Sequence, residues 1–124
     1  MSKMQRNKGA RFERSIVQQI KAKCGDAYEV RRGLQSQSGT VAPDVEVIAR
    51  YSGERVLWVE CKHGIKPNIR AALGQAVSDS EECQDDPVPV AIIKDNWTEP
   101  LAVMRFADFV DLMEDLAERS LDTR

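Results

Sequence analysis

Apolar residues near the start of the chain recur with a helical spacing. Phe12, Ile16 and Ile20 follow one another every four residues, which places them on one face of a helix. Asn7 is suited to cap this helix, because its side-chain oxygen can accept a hydrogen bond from a free backbone N–H group. The pattern predicts an amphipathic helix from about Asn7 to Lys23.

The next segments alternate polar and apolar residues, which is typical of strands. We predict a short strand at Tyr28–Arg32 and a polar loop over residues 33–42. Two further strands are predicted at Asp44–Tyr51 and Arg55–Lys62, with turn residues at Ser52-Gly53-Glu54 between them. Since only a tight turn separates these two strands, we expect an antiparallel hairpin.

The second half of the chain predicts two more helices and two more strands. A helix is expected over Pro67–Ser80, with its proline in the first turn. The nearly continuous apolar run Val88–Lys94 predicts a strand covered on both faces, and Leu101–Met104 predicts an edge strand. A final amphipathic helix is expected over Phe106–Arg119. Its inward-facing residues are predicted to be Phe106, Phe109, Val110, Met113, Leu116 and Ala117.

The order of these elements predicts an α/β sandwich with a central mixed sheet, in one domain spanning residues 1–124. Hydrophobic residues make up 42% and charged residues 31% of the chain, a balance typical of globular proteins. No apolar run approaches the roughly 20 residues of a membrane span, and no apolar signal segment is visible near the N-terminus. Neither a GxGxxG nor a GxxxxGK motif is present, so no nucleotide cofactor is expected.

The cysteine content also limits the classes of protein. Three cysteines without a CxxC spacing, and a single histidine, argue against a disulfide framework and a zinc site. We therefore expect a reducing, cytoplasmic location.

Charge is divided unevenly along the chain. Residues 1–70 hold 14 Lys and Arg against 7 Asp and Glu, whereas residues 71–124 hold 4 against 13. The net charge of −2 therefore conceals a basic half and an acidic half. Such a division fits a surface that binds a polyanion, but it also fits an uneven solvated surface, so charge does not decide between them.

The residues that carry chemistry lie on the predicted hairpin. Residues two apart on a strand share a face, so Glu60 and Lys62 point the same way. Hairpin pairing brings Asp44, which follows Pro43, beside them at the edge of the sheet. Two adjacent carboxylates become favourable when a divalent cation takes oxygen ligands from both, and a nearby ammonium group suits attack on a phosphodiester. The alternative is a solvated Glu60–Lys62 ion pair.

These motifs resemble the PD-(D/E)XK nuclease superfamily and, within it, the archaeal-type Holliday junction resolvases. The resemblance extends over about residues 6–94 and implies a restriction-endonuclease-like fold. It is carried by Lys8–Arg14, Arg31–Gly33, the Ser-Gly loop that follows, Pro43–Val45, Val59–Lys62 and Gln75.

The resemblance also implies roles for the residues of the site. Asp44 and Glu60 would bind Mg²⁺, for which Mn²⁺ substitutes, together with the backbone carbonyl of Cys61. Glu13 would complete the acidic cluster, and Lys62 would handle the attacking water.

We also assign expectations to a loop serine, to Gln75 and to Glu46. Ser38, or alternatively Ser36, would contact a phosphate or a water, and Gln75 would orient the lysine or the water. Glu46 departs from the family pattern, which has an apolar residue there. We interpret Glu46 as a side chain on a solvent-exposed edge rather than an additional acid of the site.

The function implied by the resemblance is paired hydrolysis of four-way DNA junctions by a homodimer. Core packing is the favoured interpretation of the apolar face of the last helix, and additional dimer surface is the alternative. Other readings are a nuclease of the same fold that cuts flaps, mismatches or duplex DNA, and a DNA-binding module without catalysis. The residues expected to face DNA are Lys3, Arg6, Lys8, Arg11, Arg14, Arg31, Arg32, Lys66 and Arg70.

Overall fold

The computed structural model describes residues 2–33 and 41–122. The predicted loop over residues 33–42, including Ser36 and Ser38, lies mostly outside the described residues. In chain order the elements are α1 (Lys3–Cys24), β1 (Tyr28–Arg32), β2 (Val45–Ala49), β3 (Arg55–Gly64), α2 (Ile69–Ser80), β4 (Val88–Asp95), β5 (Leu101–Val103) and α3 (Phe106–Asp122).

The five strands form one mixed sheet in the order β1-β2-β3-β4-β5. Neighbouring strands pair antiparallel except β3 and β4, which are parallel because α2 crosses over between them. The predicted α/β class, the β2–β3 hairpin and the edge position of β5 are confirmed. The family-implied restriction-endonuclease-like architecture agrees with this arrangement.

The two faces of the sheet are covered by different helices. On one face, Phe12 and Ile16 of α1 pack in a cluster with Val30, Val47 and Val59 of the first three strands.

On the other face, α2 covers β3 and β4. Its Ala72 packs against Ala91 and Ile93. The small side chain of Ala72 lets α2 approach the sheet closely. Strand β3 therefore lies between α1 on one face and α2 on the other.

The predicted first residues of α1 and α2 are wrong. Ser2 is the N-cap of α1, since its hydroxyl accepts a hydrogen bond from the N–H of Gln5 at 3.2 Å, so Asn7 lies inside the helix. In the same way, the side chain of Asn68 caps α2 and Pro67 precedes the helix. A residue that can cap a helix does so only where the chain enters the helix, and the earlier start of α1 adds cationic residues to its first turns.

The predicted inward packing of α3 is also wrong. None of its residues is buried, and the exposed fraction of Phe106 is 78%. The amphipathic pattern identifies a face that favours burial, but it does not specify which surface covers it. Within the described residues, no helix is long and apolar enough to cross a membrane.

Candidate active site

The β2–β3 hairpin places Asp44 directly beside Glu60. The backbone N–H of Asp44 donates to the carbonyl of Val59 at 2.9 Å, and the N–H of Cys61 donates to Oδ2 of Asp44 at 2.8 Å. These two bonds hold Asp44 against the residues on either side of Glu60, so the hairpin brings the two acids together.

Gly33, which belongs to the Arg31–Gly33 motif but was given no role in the sequence analysis, allows this geometry. The N–H of Gly33 donates to the carbonyl of Asp44 at 3.0 Å, which joins the end of β1 to the entry of β2. A Cβ atom at position 33 would lie 1.7 Å from the carbonyl oxygen of Pro43, far inside contact distance. Any larger residue would push Pro43 and Asp44 away from β1 and so displace the site.

Glu60 is a buried acid next to another acid. Its burial, and the neighbouring charge of Asp44, raise the pKa of Glu60 to about 8. The indole N–H of Trp58 donates to Oε1 of Glu60 at 3.2 Å and opposes this rise, because it favours the charged carboxylate. At neutral pH the pair therefore holds a proton unless another positive charge replaces it.

Glu13 of α1 belongs to the same acidic cluster. Burial and the charge of Asp44 raise the pKa of Glu13, while a hydrogen bond from Arg32 lowers it. The guanidinium of Arg32 lies 3.1 Å from Oε1 of Glu13. Arg32, predicted to contact DNA, is thus committed to an ion pair beside the site.

The thiol of Cys61 is on the α1 side of β3. Burial and the neighbouring carboxylates raise the pKa of Cys61, so the thiol remains protonated. The predicted contribution of this residue therefore involves its backbone and not its sulfur.

Lys62 and Gln75 face a common cavity. This cavity of about 400 Å³ lies between the end of β3 and the first turns of α2. His63 and Asn68 also line it. The structure brings Lys62 and Gln75 together, as the motif implies.

The interpretation of Glu46 as a solvent-exposed edge residue is wrong. Its exposed fraction is 4%, and it accepts hydrogen bonds from Arg31 at 2.8 Å and from Nε of Arg55 at 3.1 Å. Burial alone would raise the pKa of Glu46, but the two guanidinium groups outweigh it and lower the pKa. The local sequence pattern hides this ion pair because Arg31 lies on another strand.

The expected DNA-facing cations separate into groups. Lys3, Lys8 and Arg11 line an open cleft of about 510 Å³ along α1, and His63 lies in the same cleft. Arg31 instead binds Glu46 and Glu29. The other expected cations lie elsewhere on the surface: Arg6 and Arg14 are exposed on α1, Lys66 follows β3, and Arg70 lines a different groove on α2.

The donor set at the hairpin suits a hard divalent cation. It consists of carboxylate oxygens, the ligands that Mg²⁺ and Mn²⁺ prefer, and it has no soft ligand. Among residues 2–33 and 41–122, no group of three or more His, Cys, Asp and Glu side chains is already arranged around a single point. The ion pair between Glu13 and Arg32 agrees with this finding, because it holds the third carboxylate away from Asp44 and Glu60.

The chain was compared with known proteins. The family model described as archaeal Holliday junction resolvase (Hjc) matches residues 4–78, which is more than half of the chain. No curated protein matches the chain. The matched range includes nearly all of α1 and α2 and the whole β2–β3 hairpin, and with them Glu13, Asp44, Glu60, Lys62 and Gln75. The chain therefore belongs to the archaeal Holliday junction resolvase family.

Proposed function

We propose that the protein is a divalent-cation-dependent endonuclease that resolves four-way DNA junctions by paired phosphodiester hydrolysis. The observation that carries this proposal is the pair of hydrogen bonds that hold Asp44 beside Glu60 on a PD…ExK hairpin, in a chain of this family. Two neighbouring carboxylates repel each other, and a divalent cation bound by both removes that cost.

Asp44 and Glu60 are the residues proposed to hold Mg²⁺, with the carbonyl of Cys61 and with Glu13 at the edge of the cluster. When bound, the cation neutralises negative charge on the phosphodiester and makes water more acidic. If the Glu13 side chain left Arg32 and turned toward Asp44 and Glu60, it would add a third carboxylate to the cluster. This step needs only the loss of a partly exposed ion pair, which contributes little to stability.

Lys62 and Gln75 act from the neighbouring cavity. The amine of Lys62 holds the attacking water and stabilises the charge that develops on the phosphate. The amide of Gln75 can both donate and accept a hydrogen bond, so it orients that water or the lysine. The role predicted for Ser38, or Ser36, stays a prediction.

DNA lies along α1 in this proposal. Lys3, Lys8 and Arg11 line one cleft, and contacts from such side chains to phosphates give affinity that depends on salt rather than on base sequence. Recognition of a junction then depends on shape, which requires two active sites at a fixed separation.

A homodimer supplies the two sites. The four-way junction has two-fold symmetry, and a closed two-fold dimer matches it. The exposed apolar face of α3 is the candidate dimer surface, since Phe106, Phe109, Met113 and Leu116 are each at least 45% exposed. Sedimentation of the wild-type chain and of a Phe106→Glu/Met113→Glu variant tests this surface: a dimer that dissociates supports it, and a monomeric wild type contradicts it.

The test of the function compares an immobile four-way junction with its linear duplex arms. Each is incubated with Mg²⁺, with EDTA, and with the Lys62→Ala variant. Symmetric nicks in the junction alone, lost in EDTA and in the variant, are expected. Equal cutting of junction and duplex would favour a nuclease of broader specificity, and tight binding without cutting would favour a DNA-binding module.

A further inference from the structure

Trp58 is the only described side chain outside the acidic cluster for which a hydrogen bond to Glu60 is found. Its Nε1–H donates to Oε1 of Glu60 at 3.2 Å, and both side chains are buried. A buried indole N–H requires an acceptor. The acceptor of this indole N–H is Glu60, a candidate cation ligand, and not a backbone carbonyl.

The indole ring is held on several sides. Its exposed fraction is 1%, and Trp58 is the register neighbour of Glu46 on β2 and of Pro89 on β4. The guanidinium of Arg55 lies 5.7 Å from the centre of the ring, a distance that suits a cation–π contact.

Arg55 is itself fixed in place. Its guanidinium binds the buried carboxylate of Glu46, and its backbone N–H donates to Oδ2 of Asp85 at 2.9 Å. Rotation of the indole would therefore disturb the ion pair of Glu46 as well as the packing of the sheet. Trp58 is a rigid donor, and a rigid donor fixes the position of its acceptor.

The hydrogen bond distinguishes the two oxygens of Glu60. Oε1 accepts from the indole N–H, so a cation shared with Asp44 would be bound through the other oxygen, Oε2. We propose that Trp58 is a positioning residue, which orients the carboxylate of Glu60 for cation binding. This inference rests on the proposed role of Asp44 and Glu60 in binding the cation.

The first test measures Mg²⁺ binding by calorimetry, without DNA, in the wild type and in Trp58→Phe. Phenylalanine retains an aromatic ring but lacks the donor. We expect the Mg²⁺ affinity of Trp58→Phe to fall about 10-fold or more, as is usual when a partner of a metal ligand is removed. Trp97→Phe is the matched control, because Trp97 is fully exposed, and its Mg²⁺ affinity should equal that of the wild type.

The second test does not require the Trp58→Phe variant to fold. The chain has two tryptophans, so the ¹⁵N-labelled Trp97→Phe protein has a single indole N–H signal, from Trp58. We expect this signal to shift during a Mg²⁺ titration and to follow the calorimetric binding curve. Glu60→Gln, which removes the ligand charge, should abolish the shift.

The outcomes separate the two proposals. If Trp58→Phe has a lower melting temperature but an unchanged Mg²⁺ affinity, the indole has only a structural role and the inference is wrong. An indole signal that does not respond while the wild type binds Mg²⁺ also contradicts it. A wild type that binds neither Mg²⁺ nor Mn²⁺ overturns the proposed cation site, and the role of Trp58 with it.

Discussion

Glu46 and Glu60 lie on the same face of the sheet and are almost equally buried, with exposed fractions of 4% and 5%. Their surroundings are opposite. Glu46 faces the guanidinium groups of Arg31 and Arg55, and its pKa is lowered. Glu60 faces Asp44, and its pKa is raised to about 8.

The comparison indicates how a structural acid differs from a functional one. Burial disfavours the charged form of both carboxylates, but two arginine side chains of the fold stabilise the charge of Glu46. Glu60 receives only a neutral donor from Trp58 and a second acid from Asp44. A buried carboxylate that has no positively charged partner in the fold is a candidate to bind a positively charged ligand.

The largest expected difference between the two glutamates is in catalysis. Glu60→Gln should reduce the rate of junction cleavage by about 10²–10³-fold or more, since it removes charge where the phosphate reacts. Glu46→Gln should leave that rate within a few-fold of the wild type. Single-turnover cleavage in Mg²⁺ measures both, and an equal loss in the two variants would contradict the distinction.

Stability should show the reverse order. Glu46→Ala leaves the guanidinium groups of Arg31 and Arg55 without their buried partner, which should cost about 1–3 kcal/mol of the free energy of unfolding. The cost is at the lower end for a buried pair because both arginines are partly exposed. Urea denaturation measures it, with Glu29→Ala as a control at an exposed ion pair, expected to change stability by less than about 1 kcal/mol. A loss as small as that of the control would show that Glu46 is not a stabilising partner.

The pH dependence of stability should have opposite signs at the two sites. Glu60 has a raised pKa, so the cation-free protein binds a proton on folding between about pH 4.5 and 8, and this contribution to stability is lost as the pH rises through that range. Glu46 has a lowered pKa, so its contribution is present above about pH 4.5 and is lost as the pH falls below it. Melting curves in EDTA should show Glu60→Gln more stable than the wild type at pH 8 but not at pH 5, whereas Glu46→Gln should be the less stable protein at both. Equal stability of Glu60→Gln and wild type at pH 8 would argue against the protonated pair.

The smallest expected effect concerns the cations along α1, which face no buried acid. Lys3→Ala and Arg11→Ala should each reduce the slope of log affinity against log salt by about 0.9, if each contacts one phosphate. Lys21→Ala is the matched control, since Lys21 lies in the last turn of α1 and does not line the cleft of Lys3 and Arg11. Titrations of labelled junction DNA at several salt concentrations measure the slope. An unchanged slope in the α1 variants would place DNA on another surface.

Sequence patterns predicted the neighbourhood of Glu60 better than that of Glu46. Asp44 and Glu60 belong to one hairpin, and a short turn fixes which residues of its strands are opposite one another. The cations around Glu46 depend on the register of β1 against β2, which no local pattern specifies. The two-residue period of a strand puts Trp58 on the same face as Glu60, but the direction of its indole N–H depends on packing against Arg55 and the neighbouring strands.

The ends of elements and the last helix show a second limit. Capping residues are common, so the presence of Asn7 was not enough to locate the start of α1; Ser2 caps the helix instead, through its side-chain contact with Gln5. For α3, periodicity predicted the helix itself but could not identify the surface that covers it.

The hairpin origin of the acid pair also has a consequence for the order of folding. Asp44 and Glu60 lie on one hairpin, whose strands β2 and β3 are joined by a short turn, whereas β4 reaches β3 only after the α2 crossover. Local contacts form early because they cost little chain entropy, so the two acids meet while the sheet is still incomplete. Charge repulsion within the hairpin then opposes an early step of folding. Acid, or a divalent cation, would therefore accelerate refolding as well as stabilise the product, an effect that stopped-flow measurements at pH 5 and pH 8 would detect.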